Sequence, residues 1–227
     1  MSDMMQDLVY SGPEKTGLRV QQANAYVLGI LWALGSYEEY AGTKTISRYF
    51  QLRHHRPYFL QVVKQEMALQ TKIRTVRHNG KPQCRLNIYN IDMEYLNWLG
   101  WQARQALERN YPAMSVGHRD FILAYLEIHS KLDTTIMFKR YKRFRLRIYG
   151  NMRFLAELTR VLAAEVGTGI KKPQQVKNRE SGISGTLFYQ SLRELQALFK
   201  YFYNPPLKHF DHEYYEKFSN LLRQWPN

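Results

Sequence analysis

The residues of this chain with the clearest chemical signature are cationic and closely spaced. Lys139 to Arg147 reads KRYKRFRLR, six cations in nine residues without an acid among them. Phe144, Leu146 and Ile148 alternate with Arg143, Arg145 and Arg147, the period of two expected of a strand buried on one face. Like charges aligned on one face of a strand repel, so the arrangement is destabilising without a partner. A solvated sheet face is the alternative that this repulsion disfavours. A phosphate backbone or the major-groove edge of guanine would neutralise the row, because arginine can donate two hydrogen bonds to guanine O6 and N7.

Two other alternating stretches mix donors with acceptors. TISRYFQLR sets Ser47, Tyr49, Gln51 and Arg53 against Ile46, Phe50 and Leu52, and QCRLNIYN sets Gln83, Arg85 and Asn87 against Cys84, Leu86 and Ile88. That mixture suits the reading of base edges better than a uniform electrostatic grip does. Arg74 and Lys177 on the remaining polar strands, with Lys139, complete the candidate DNA-contacting set. His54 and His55 stand between Arg53 and Arg56, where a metal cation would meet strong like charge. No phosphate-binding glycine loop, nucleophile elbow or zinc-ligand cluster is present in the sequence.

The whole composition points the same way. Lys and Arg number 33 against 19 Asp and Glu, a net charge of +14, which favours a polyanionic partner, nucleic acid first. Apolar residues are 44% of the 227, enough for a full core. The single cysteine, Cys84, excludes an internal disulfide and any Cys-rich zinc site and fits a reducing compartment. The first residues show no basic start followed by an apolar run, and the nearly uncharged segment 21–37 is shorter than the roughly 20 apolar residues a bilayer demands. These features predict a cytoplasmic, nucleoid-associated monomer that makes no contact with membrane.

The elements that must position these residues form a repeat. AYVLGILWALG (Ala25 to Gly35) and FILAYLEIHS (Phe121 to Ser130) share a pattern of small and large residues 95 positions apart, with Gly29 matching Ala124 and Gly35 matching Ser130. Small residues there predict two helices in close contact. Strands, a helix after Pro57, a hairpin at Asn79-Gly80 and a helix from about Asp92 to Arg109 follow the first, and the second half retells that order. Phe59 and Phe154 are likewise 95 apart in corresponding helices. The expected fold is α+β, two αββαββα units: a loose lead-in over 1–20, a first half over 21–112, a second over 113–204, and an outer C-terminal helix within 205–227.

On VLGILWALG (Val27 to Gly35) and ILAYLEIHS (Ile122 to Ser130), each opening such a unit, the chain resembles the single-chain LAGLIDADG homing endonucleases. The resemblance implies a pseudo-twofold pair of motif helices and a saddle-shaped antiparallel sheet lying on double-stranded DNA. It also implies an acid near the end of each motif helix, the two holding divalent metal such as magnesium for strand cleavage. Here those positions are Leu34 and His129, and the motif's earlier acid is Trp32 in one half and Glu127 in the other. Leu34 cannot bind a metal, whereas cleavage by paired ions requires hard oxygen ligands. A buried, hydrogen-bonded role is the simpler one for His129. The resemblance therefore predicts a site-specific DNA-binding protein without cofactor, similar in its degenerate motifs to sporulation regulators of the WhiA type and acting in transcription regulation. Two alternatives stay open: a metal-dependent endonuclease using displaced acids (Glu38, Glu39, Glu127 or Asp133), and an intron RNA maturase.

Overall fold

The structure is a computed structural model that describes residues 24–41, 46–103, 109–114, 117–137, 141–178 and 182–224. The first half contains α1 (Ala25–Leu34), β1 (Gly35–Ala41), β2 (Ile46–His54), α2 (Tyr58–Glu66), β3 (Arg74–His78), β4 (Lys81–Ile88) and α3 (Met93–Trp98). The second repeats the order with α4 (His118–His129), β5 (Ser130–Met137), β6 (Tyr141–Asn151), α5 (Met152–Val166), β7 (Gln174–Asn178), β8 (Gly182–Tyr189) and α6 (Leu192–Tyr203), followed by α7 (His212–Arg223). Each half forms one four-stranded antiparallel sheet, ordered β1-β2-β4-β3 and β5-β6-β8-β7. The predicted α+β architecture of two αββαββα units is what the chain adopts. The lead-in over 1–20 lies outside the described residues.

Both central helices are apolar almost all round, so they must be buried on every side. Tyr26 to Trp32 of α1 and Phe121 to Glu127 of α4 are buried without a break. Their small residues meet as the repeat predicts. A Cβ at Gly29 would lie 2.5 Å from the carbonyl oxygen of Phe121 and 2.8 Å from the Cβ of Ala124, closer than backbone can accommodate. Trp32 and Phe121 pack edge to face at 5.9 Å across the same contact, a geometry worth about 0.5–1.5 kcal/mol beyond burial. Phe59 on α2 and Phe154 on α5, the other matched pair, are both buried.

Local chemistry fixes the element ends. The Asn24 side chain accepts from the Val27 N–H at 2.9 Å, and that of Asn151 accepts from Phe154 at 2.8 Å, capping α1 and α5. Asn79 and Gly80 have φ of 50° and 76°, as the tight β3–β4 turn requires. The helix expected to run to about Arg109 stops at Trp98 instead. Gly100, with φ of 103°, donates to Asn97 while Trp101 donates back to Leu96, the paired bonds that end a helix at a left-handed residue. The C-terminal helix packs through one face. Tyr214, Phe218 and Leu221 of α7 are buried, and Asp211 at its N-terminus reaches the end of α4. No helix among the described residues is long and apolar enough to cross a membrane.

Candidate nucleic-acid interface

In each sheet the alternation that buries one set of side chains turns the other set to the opposite face. Phe50, Leu52, Leu86 and Ile88 are fully buried in the core, which leaves Tyr49, Gln51, Arg53, Gln83, Arg85 and Asn87 together on the other face of β2 and β4. The register brings Gln51 opposite Asn87, and Arg53 opposite Arg85, which in turn faces Arg74. The result is a row of three guanidinium groups across β2, β4 and β3, with an amide row beside it. The amides are joined: Arg53 Nε donates to Gln51, and Gln51 Nε2 donates to Asn87 Oδ1 at 3.1 Å. Ser47 pairs with Tyr40 in the ladder, but its side chain is outside the described residues.

The basic strand is β6, and its arginines are less free than the sequence implies. Leu146 and Ile148 are fully buried and Phe144 nearly so, so Arg143, Arg145 and Arg147 share the open face. The acid missing from β6 comes from its neighbour. Asp133 on β5 lies opposite Arg145 and accepts from it at 3.0 and 3.3 Å, and also accepts from Arg147. Partial burial alone would raise the Asp133 pKa, but the hydrogen bonds and charges of Arg145 and Arg147 outweigh it and hold the carboxyl below its usual range. Arg145 also stacks over Phe188 and Arg147 over Tyr149, at 5.5 and 5.8 Å. Lys177 stands opposite Ile183 in β7, its side chain outside the described residues, as is all of Lys139.

β1 leaves the C-terminal end of α1 and β5 that of α4, the ends where the resemblance would put metal-binding acids. Leu34 is partly buried and packs on the core. His129 Nε2 lies 2.9 Å from the carbonyl of Ala33 on α1. A carbonyl only accepts, so Nε2 carries the proton and the ring joins the two helices. Desolvation lowers the His129 pKa, which keeps the imidazole neutral. A cavity of about 340 Å³ beside it is lined by Trp32, Arg109, Tyr125, His129, Tyr149 and Ser184 among others, with no Asp or Glu in its wall.

Three of the four candidate replacement acids are engaged elsewhere. Glu127 is 3% exposed. It accepts from Tyr26 at 2.5 Å, Tyr203 at 3.2 Å and the Asp211 N–H at 3.0 Å. Burial pushes its pKa up to about 8, so it is mostly protonated at neutral pH. Asp133 is held by two arginines, and Glu39 pairs with Arg48 at 3.1 Å. Glu38, opposite Tyr49 in the ladder, is the acid left on the open face of the first sheet. No group of three His, Cys, Asp or Glu that could hold a metal occurs among the described residues. This donor set does not fit a pair of hard divalent ions.

Sequence reasoning overlooked the residues that hold the helix ends. Arg109, 7% exposed, donates to the carbonyls of Trp32 at 2.8 Å, Gly35 at 2.6 Å and Gln102 at 3.1 Å. Burial lowers its pKa to about 10, so it stays cationic at the carbonyl end of α1, where the helix dipole is negative. In the other half Arg56 reaches the carbonyl of Glu127, the counterpart of Trp32, at 3.4 Å and pairs with Asp211. Asn151, 95 positions after Arg56, donates to the carbonyl of Arg109 at 2.6 Å. Both motif helices are thus clasped at the end nearest the sheets.

No family sequence model and no curated relative matches the chain. Solved structures do. The chain is similar to the LAGLIDADG homing endonuclease I-LtrWI bound to its target DNA, with a TM-score of 0.62 and 11% identity over 90% of this chain and 91% of that one. It is also similar to the meganuclease I-SmaMI bound to uncleavable DNA (TM-score 0.61, 10% identity, 88% and 90% covered). The LAGLIDADG meganuclease I-AabMI bound to uncleaved DNA matches comparably, with a TM-score of 0.59, 11% identity and the same coverage. The chain therefore has the fold of single-chain LAGLIDADG homing endonucleases along nearly its whole length.

Proposed function

We propose that this chain binds double-stranded DNA at a particular site across the open faces of its two sheets and does not cleave it, a regulator of transcription built on an endonuclease fold. The observation that carries the reading is the pair of matched polar faces, one with a row of three arginines beside linked amides and the other with Arg143, Arg145 and Arg147. The solved proteins of this fold named above are bound to DNA, and the net charge of +14 supports a polyanionic partner. The absence of hydrolysis is argued from the donors at the helix ends: a leucine, a neutral histidine that donates to Ala33, and a buried Glu127.

The experiment is a gel shift of the full chain with long genomic duplex, single-stranded DNA and structured intron RNA over a salt series. Retention of duplex that weakens steeply with salt is expected. Preferential retention of the RNA would replace this reading with the maturase one, and failure to retain either would remove both.

A further inference from the structure

We infer that Gln51 fixes the hydrogen-bonding polarity of the first sheet's open face, so that the face presents donors and selects base pairs whose major-groove edges offer acceptors, guanine above all. The inference rests on the DNA reading and goes beyond it by naming what sets the preference. Gln51 is 1% exposed although it belongs to the open face, and both ends of its amide are engaged, by Arg53 and by Asn87. Its amide has only one workable orientation. A guanidinium only donates, so the group turned to Arg53 Nε must be the Gln51 carbonyl oxygen. Its NH2 then faces Asn87 and engages Asn87 Oδ1 at 3.1 Å. With that oxygen occupied, Asn87 turns its own NH2 toward the open face.

One row further, Arg53, Arg85 and Arg74 stand opposite one another in the ladder, and no carboxylate among the described residues pairs with any of them. The acid on this face, Glu38, is opposite Tyr49, on the far side of Gln51 from the arginine row. The second sheet differs, because Asp133 accepts from Arg145 and Arg147. Amide and guanidinium donors therefore line these two rows of the first face in one fixed sense. Guanine O6 and N7 and thymine O4 are acceptors, whereas adenine N6 and cytosine N4 are donors. An Asn87 NH2 set against either amine would leave two desolvated donors facing each other.

Gln51 is accordingly a positioning residue, and changing its polarity should reverse the choice rather than abolish it. In Gln51→Glu both carboxylate oxygens accept, one from Arg53 and one from Asn87, so Asn87 must turn its carbonyl outward. In Gln51→Leu the buried volume is kept and Asn87 is left unfixed. The test is selection of bound duplexes from a random pool by the full-length wild type and both variants, with melting curves as a check on folding. The wild type should enrich acceptor edges in one half of its site. Gln51→Glu should move the preference at one base pair to a donor edge by roughly tenfold, and Gln51→Leu should relax it without reversal. If Gln51→Glu does not fold, Asn87→Asp supplies the same outward acceptor and should give the same reversal. Identical preferences in wild type and the folded variants would overturn the inference while leaving the DNA reading intact. No enrichment by the wild type would instead overturn the DNA reading, and the inference with it.

Discussion

His129 on α4 donates its Nε2 proton to the carbonyl of Ala33 on α1, 2.9 Å away, and so bridges the two central helices at the position where the sequence resemblance implied a metal-binding acid. The bond to Ala33 favours a protonated Nε2 whatever the ring charge, and desolvation keeps the ring neutral by lowering its pKa. His129→Gln keeps an N–H for Ala33 and should leave stability at pH 7 nearly unchanged. His129→Leu leaves the carbonyl unpaired and should cost about 1–3 kcal/mol in urea unfolding. Equal stability for the two variants would remove the bridge from the account.

Acid should destabilise the fold through its histidines. Burial lowers the His54 pKa to about 4, and His129 is also shifted down, whereas both titrate near 6.5 in an unfolded chain. The unfolded state therefore binds more protons as pH falls from about 6.5 to about 4, and stability declines over that window. Urea midpoints measured across it should fall with pH, and a His54→Gln, His129→Gln double variant should flatten the slope.

Glu127 acts in the opposite direction. Its folded pKa is raised to about 8 from an unfolded value near 4.3, so its contribution is fully present at low pH and lost as pH rises through 8. Glu127→Gln keeps an acceptor for Tyr203 and the Asp211 N–H and cannot ionise. The variant should be more stable than the wild type at pH 9 and similar at pH 5; a pH-independent difference would contradict the burial argument.

Ala68 ends α2 with φ of 50°, while Leu69 donates back to Lys64 at 2.9 Å. A left-handed residue with a Cβ costs about 1–2 kcal/mol, and glycine relieves most of it. Ala68→Gly should raise the thermal midpoint by a few degrees. A lower midpoint would place the strain elsewhere.

Asp133 offsets cationic charge on the open face of the second sheet. Asp133→Asn frees Arg145 and Arg147, and should tighten duplex binding and steepen its salt dependence, whereas Arg145→Ala with Arg147→Ala should weaken binding and shallow the slope by roughly two. Affinities that do not move in either variant would shift the interface away from β6.

Much of this was legible in the chain because it lives in local patterns. The spacing of Gly29 and Ala124 identified the helix contact, the alternation around Phe50 and Leu146 identified the strands, and Asn79-Gly80 identified the hairpin. What was not legible depends on distant partners. The run Leu96, Leu99, Trp101 continues a helical period, and only the left-handed Gly100 breaks it. Arg109 looked like the end of that helix, yet its three carbonyl partners are brought to it by the fold. β6 read as a strand without a counter-ion because Asp133 stands on the neighbouring strand, and Glu127 read as a spare ligand because the tyrosines that bury it are remote in sequence.

The central claim, binding without cutting, is tested most directly by incubating the full chain with a pool of genomic duplexes in magnesium and in manganese, recovering the bound fraction, and sequencing its ends. The account predicts enrichment of one site with both strands intact. Enrichment of that site with metal-dependent breaks within it would contradict the account and turn attention to Glu38 as the acid that serves the metal.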